Sequence, residues 1–250
     1  MAINPATLGQ IAYSVTNPAP AARLVVALPH IAYDWNSARF STATAPQRDG
    51  TMQVTFTPNA AGDTIFLPYG QGEIHSVFLP SAGGPTCFMT AGMSGCKLFI
   101  DEVPGTDNLV VYHGNAGIGV GGGAAMNVET VPLVTALTAL HTGAQAYWNA
   151  APHNLGLNNV ATFGRNVYNN AAVAEENRKA AQNRQQAAFY GGTTVVGQLV
   201  GTRWQFHWQT YGSCTYRRPG MAPKGWFGHR DVTVHDLNHK VLGYGMFYAG

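Results

Sequence analysis

Charge is what this sequence has least of. Lys, Arg, Asp and Glu together make up 10% of the 250 residues, against about 25% in ordinary soluble domains. The net charge is +2, and neither sign dominates a long stretch. Neutralising many phosphates requires a basic stripe, so nucleic acid is not an expected partner. His, Cys, Asp and Glu do not recur at ligand spacing, so neither a metal site nor any other cofactor is expected. No uninterrupted apolar run is long enough to span a bilayer. Met1 to Pro20 has neither a basic start nor an apolar core, and the first arginine is Arg23; a cleavable secretory signal is therefore not expected. Cysteine is scarce too. The three, Cys87, Cys96 and Cys214, cannot all pair within one chain, which points to reduced thiols and leaves room for a reactive one. Taken singly, each is first a small buried hydrophobe.

Glycine is abundant, at 30 of 250 residues. With Thr, Tyr and Phe it suits strands and tight turns better than a helical bundle. Arg23 to Pro29 reads as a buried strand. In Thr51 to Thr57, Met52, Val54 and Phe56 alternate with polar residues, the pattern of a half-buried strand. Short apolar runs follow at Thr64–Leu67, Glu73–Leu79 and Cys87–Thr90, separated by Gly- and Pro-containing turns. This spacing is that of a sandwich or barrel. Lys97–Val103 and Asn108–His113 flank Pro104-Gly105-Thr106-Asp107, a hairpin signal. Beyond the Gly-rich stretch Gly114–Gly123, Val131–Leu140 reads as a short helix. Ala171–Tyr190, rich in helix formers, reads as a second helix. Asn149–Asn170 reads as an Asn-rich connection. Thr193–Val200 and Thr202–Tyr211 form a hairpin around Gly201, and Asp231–His235 and Val241–Tyr248 are closing strands. No internal repeat or domain-dividing linker is evident.

The 104–107 hairpin brings chemistry together. With its turn centred between Gly105 and Thr106, Val103 pairs with Asn108 and Leu98 with His113. Cys96 lies two residues before Leu98, so it shares that face and is a diagonal neighbour of His113, with Cα atoms about 7–8 Å apart. A two-residue slip would set them directly opposite, and a one-residue slip would put them on opposite faces. Only the thiolate is strongly nucleophilic; an adjacent imidazole can take the thiol proton and return it to a departing amine or ammonia. Gly92-Met93-Ser94-Gly95 precedes Cys96. Its two glycines permit a sharp turn, and backbone N–H groups there would hold a tetrahedral oxyanion, each worth about 3 kcal/mol. The Thr90 hydroxyl is near enough in sequence to reach the same loop. The plainer alternative is that Cys96 and His113 are core residues that happen to share a hairpin.

Three strings add a resemblance. Met93-Ser94-Gly95-Cys96-Lys97-Leu98-Phe99, with Thr90 upstream and His113 downstream, resembles the catalytic core of the Burkholderia lethal factor and cytotoxic necrotizing factor-type family of glutamine deamidase toxins. Leu67-Pro68-Tyr69-Gly70-Gln71-Gly72-Glu73-Ile74 is similar as well, and more loosely so is Val195 to Arg203. Together they span roughly Thr51 to Tyr211. The resemblance implies an α+β fold: a central β-sandwich of mostly antiparallel strands with flanking helices, forming one catalytic domain over residues 1–250. It implies hydrolysis of a glutamine side-chain amide on a target protein, expected to be a host eukaryotic protein. Cys96 maps to the nucleophile, His113 to its base and Thr90 to the third polar residue, with Ser94 and Gly95 as loop support. Relatives in that family act on host signalling GTPases or on a translation-initiation helicase; the activity carries over, the target does not. A chain of this type would be soluble, held in the bacterial cytoplasm before release, and would act in the target-cell cytosol. Residues 143–183 look like an insertion and residues 217–250 like a C-terminal extension.

Other features have bland explanations. Gly117-Ile118-Gly119-Val120-Gly121-Gly122 fits a dinucleotide-binding pattern, but the strands before it look antiparallel and no acidic residue follows at the right distance. It reads as a loop bordering the site. His75 is a fallback imidazole on a neighbouring strand. Cys87, Cys214, His207, His229, His235 and His239 read as structural, and Trp204, Phe206, Trp208 and Tyr211 as sheet packing. Three function classes remain: a deamidase (or, if an amine intercepts the thioester, a transglutaminase), another thiol hydrolase such as a peptidase, and a non-enzymatic β-sandwich binding module.

Overall fold

The computed structural model describes residues 3–16, 18, 23–27, 29–36, 39–117, 129–169, 175, 185–223 and 229–250, with side chains of 23–27, 185–191 and 213–238 left aside. The fold is α+β and mostly β, built around a sandwich-like core of two sheets. In chain order the strands are β1 (Tyr13–Val15), β2 (Arg23–Ala27), β3 (His30–Tyr33), β4 (Arg39–Pro46), β5 (Met52–Pro58), β6 (Thr64–Leu67), β7 (Glu73–Leu79), β8 (Cys87–Thr90), β9 (Lys97–Glu102) and β10 (Leu109–Asn115). Helix α1 (Val131–Asn149), β11 (Asn158–Phe163), the one-turn helix α2 (Arg165–Tyr168), β12 (Gln185–Val200), β13 (Arg203–Pro223) and β14 (His229–Ala249) follow. One sheet runs β1-β5-β4-β6-β8-β12-β13-β14, the other β11-β9-β10-β7-β3-β2. Pairing is antiparallel except at β1–β5, β6–β8 and β3–β7.

Between the sheets lies one continuous apolar layer, with Leu98, Ile100, Val111 and Val77 from the smaller sheet facing Leu67, Phe88, Val195 and Phe206 from the larger. The smaller sheet buries its other face too. Phe99, Val110 and Tyr112 point outward under α1 and meet Leu133, Leu137, Ala144 and Trp148. That double burial explains why β9 and β10 read as unbroken apolar runs rather than alternating ones. On the outer face of the larger sheet, Val54, Phe66 and Met89 are covered by Ile3, Leu8 and Tyr13. Among the described residues no helix is long and apolar enough to cross a membrane.

Strands β6, β7 and β8 have the bounds their apolar runs predict. Elsewhere tertiary contacts override local pattern. Helix α1 continues nine residues beyond the expected Leu140, to Asn149. Its buried stripe runs Leu133, Leu137, His141, Ala144, Trp148, and His141 keeps the stripe intact because it bonds Asp101 on β9 at 3.0 Å. The second expected helix, Ala171–Tyr190, is corrected at its end: Gln185–Tyr190 is strand, paired with Tyr216–Gly212 of β13. Cross-strand pairing there outweighs helix propensity worth only tenths of a kcal/mol per residue. The remainder of that stretch, apart from Glu175, lies outside the described residues, as do positions 118–123 of the Gly-rich stretch. The expected connection Asn149–Asn170 contains β11 and α2. The two expected closing strands are one, β14, held in register along β13 through the polar Asn238–Lys240 interval. The strand expected over Arg23–Pro29 ends at Ala27, and the chain returns at once as β3.

Candidate active site

The β9–β10 hairpin has the expected register. Val103 N–H donates to the Asn108 carbonyl at 3.1 Å, and Leu98 is paired with His113. Turn formation relies on Gly105, whose φ of 75° favours glycine. Continuing the ladder past Lys97–Gly114 sets Cys96 opposite Asn115. Two rows then cross the inner face at this end of the smaller sheet. One holds Leu98, His113, His75 and Ile31. The row beyond holds Cys96, Asn115 and Glu73, the last two directly paired. Cys96 and His113 are therefore diagonal neighbours on one face, and His75 stands beside His113 on the far side.

Both reactive groups are deeply buried, Cys96 at 2% exposure and His113 at 0%. The Asn115 Nδ2 amide donates to the Cys96 sulfur at 3.5 Å. Both ring nitrogens of His113 lack a hydrogen-bond partner, so no hydrogen bond joins the pair. Burial pushes the Cys96 thiol up to about 11, against the pull of backbone N–H groups at Ser94 and Gly95, the Asn115 amide and the Arg165 charge. Burial, then the neighbouring His75, pushes His113 down to about 3, although the backbone at Leu67 and Pro68 favours its protonated form. The resting site is thus a neutral thiol near a neutral imidazole.

The strand that brings His75 also brings Glu73, whose Oε2 lies 3.0 Å from His75 Nε2, while Tyr33 OH lies 2.8 Å from His75 Nδ1. Gly70 makes this possible, because a Cβ there would collide with the Glu73 carboxylate. Tyr69, 41% exposed, holds its ring 5.6 Å from that of His113. The segment 67–74 therefore wraps the imidazole.

Thr90 faces inward from the opposite sheet, on the same side of β8 as Phe88. Its hydroxyl accepts from Val195 N–H at 3.3 Å and does not reach His113. The segment before Cys96 is pinned by a two-way bridge, Met93 N–H to the Thr193 carbonyl at 2.7 Å and the reverse at 3.1 Å. Ser94 is exposed and Gly95 half-buried. Neither Gly92 nor Gly95 takes a positive φ, and a Cβ at Gly92 would meet open space. The turn into β9 is thus made by the bridge, not by glycine's conformational freedom.

Asn115, Glu73 and Arg165 join this cluster without having been singled out in the sequence. Asn115 was within reach of strand alternation, two residues beyond His113. Arg165 was not, because β11 and α2 sit in a polar stretch with no periodic signal. Phe163 pairs with Leu98, so the chain entering α2 runs alongside Cys96, and Tyr168 OH donates to the Cys96 carbonyl at 3.0 Å. The three cavities described along the surface are lined by other residues: one by Ala136, Leu140 and Tyr147, one by Trp35, Phe78 and Trp148, one by Glu102, Arg203 and Tyr248. Among the described residues, no three His, Cys, Asp or Glu side chains gather closely enough to hold a metal ion. No protein-family model and no curated protein matches the chain.

Proposed function

We propose that this chain is a toxin-type protein-glutamine deamidase acting through Cys96. The observation that carries the reading is the surroundings of one sulfur. The Cys96 thiol receives the Asn115 amide, the backbone at Ser94 and Gly95 favours its thiolate, and a buried imidazole lies one diagonal away on the same face. Substrate entry uncovers the pair. The thiol proton moves to His113, and the sulfur attacks the carboxamide carbon. Ammonia leaves with the proton from the imidazolium, and water cleaves the thioester to release glutamate. The target is a protein presenting a reactive glutamine, in keeping with the family that the 67–74 and 93–99 strings resemble.

The burial of Cys96 favours a second reading, a binding module without catalysis. Iodoacetamide separates the two. A nucleophile reacts faster at Cys96 than at Cys87, which is also buried, whereas a structural thiol does not.

The direct test is peptide mapping of a eukaryotic lysate treated with wild-type protein or with Cys96→Ser. Conversion of one glutamine to glutamate, seen only with wild type, is the expected result and identifies the target. Cleaved peptide bonds would indicate a peptidase, and amine-linked glutamines a transglutaminase. The absence of any Cys96-dependent change at high enzyme concentration would remove the enzymatic reading.

A further inference from the structure

Arg165 is 3% exposed, and its Nε and Nη1 have no hydrogen-bond partner. Among the described residues no carboxylate pairs with it; the nearby Glu129 is held by Lys97 at 3.1 Å. A guanidinium stays charged at every physiological pH and presents five donors, and burying such a group unpaired is costly. Its position gives the cost a use. Arg165 opens α2 directly after β11, whose Phe163 pairs with Leu98, and α2 is fastened to the Cys96 carbonyl by Tyr168. Arg165 therefore follows the strand that borders Cys96, and its charge favours the thiolate.

We infer that Arg165 is the anion-binding group of the Cys96 site, taking the substrate's carboxamide oxygen as it becomes an oxyanion and then the product carboxylate. This rests on the reading of Cys96 as the nucleophile. Arg165 supplies a fixed positive donor where negative charge develops, beside the Ser94 and Gly95 N–H groups, and such preorganised donors act most strongly in a site shielded from water. It selects a substrate whose reacting carbon carries an oxygen that gains charge, and it gives the site affinity for small carboxylates.

The test compares iodoacetate with iodoacetamide at Cys96, read by peptide mass, in wild type, Arg165→Gln and Arg165→Lys. In each reaction the sulfur forms a bond to carbon as the carbon–iodine bond breaks and iodide leaves; only iodoacetate brings a carboxylate. Wild type is expected to favour iodoacetate, Arg165→Gln to lose that preference by about tenfold, and Arg165→Lys to keep most of it. Sodium glutarate is expected to slow the iodoacetamide reaction of wild type, a readout that holds even if Arg165→Gln does not fold. Equal preference in wild type and Arg165→Gln overturns the inference, as does a Cys96 that resists both reagents. Glutamine deamidation separates the two levels. Unchanged kcat/KM in Arg165→Gln removes the arginine's role and leaves the deamidase. Loss of the iodoacetate preference, with no deamidation by wild type, keeps the anion site and removes the deamidase.

Discussion

Asn115 is one of the groups that work against burial in letting the Cys96 sulfur carry charge. Its amide is the side-chain donor on Sγ, while its Oδ1 accepts from Gly117 N–H at 2.9 Å, which fixes the orientation of the donor. Truncation in Asn115→Ala removes one hydrogen bond to a developing thiolate, so Cys96 alkylation by iodoacetamide is expected to slow by about tenfold. Asn115→Asp, which sets a carboxylate against the sulfur, is expected to slow it further. Rates measured against pH and assigned to Cys96 by mass check this, and unchanged reactivity in both variants would mean that the amide has no hold on the thiol. At this scale the sequence reveals half of the cluster. The 104–107 turn fixes the hairpin register, and the period of two then sets Cys96 and His113 on one face. The same alternation contains Asn115 and Glu73, but only sheet topology shows that β7 and β10 are neighbours. Thr90 is in the right layer, where its hydroxyl accepts from Val195 N–H. Arg165 depends on a crossover that no local pattern encodes.

Among the elements, one buried carboxylate on β9 joins side chains of both α1 and β11. Asp101, 0% exposed, lies 3.0 Å from His141 Nε2 through both oxygens. It accepts from Gln145 Nε2 at 3.0 Å and from Asn159 Nδ2 at 2.9 Å. Burial pushes its carboxyl up, but bonding and charge from His141, with the Asn159 bond, bring it below the ordinary value. The His141 ring also stacks on Phe99 with centroids 4.3 Å apart. Replacing Asp101 by Ala leaves the buried His141 Nε2 without its partner, while Asn159 keeps the Ile100 carbonyl and Gln145 the Leu157 carbonyl; an unpartnered buried group such as His141 costs about 3 kcal/mol. Denaturant unfolding of Asp101→Ala should show that loss, and hydrogen exchange should quicken first in α1 and β11. If stability falls while exchange in those two elements keeps its wild-type order, the carboxylate is not what holds them. The same clasp explains why these elements were harder to read than β6 to β8. His141 interrupts an apolar stripe, and Asn158 and Asn159 look like loop residues until Asp101 is placed beneath them. The strands whose partners are merely apolar announce themselves through alternation or unbroken runs.

Over the whole molecule, buried titrating groups bound the pH range in which the fold is most stable. His113 is pushed from 6.5 down to about 3 by burial and then by His75, and His30 down to about 4 by the same causes in the same order. In the unfolded chain both imidazoles take up protons as pH falls below 6.5; in the folded chain they resist until about 4 and about 3. The unfolded state therefore binds more protons across that interval, and stability is full above pH 6.5 and falls as acid is added through it. Asp49 and Asp101, whose carboxyls are lowered from 3.8, add their loss only below that value. On the alkaline side the sign reverses. The Cys96 thiol, raised from 9.0 to about 11, ionises first in the unfolded chain, so stability declines again as pH rises through that range. The denaturation midpoint should thus be highest between pH 6.5 and 9.0 and fall on both sides. His113→Leu should shallow the acid limb while leaving the alkaline limb alone, and Cys96→Ser should do the reverse. A midpoint that stays level from neutrality down to pH 4 in wild type would show that neither imidazole is buried as described, and with it that His113 is not the enclosed base on which the proposed chemistry depends.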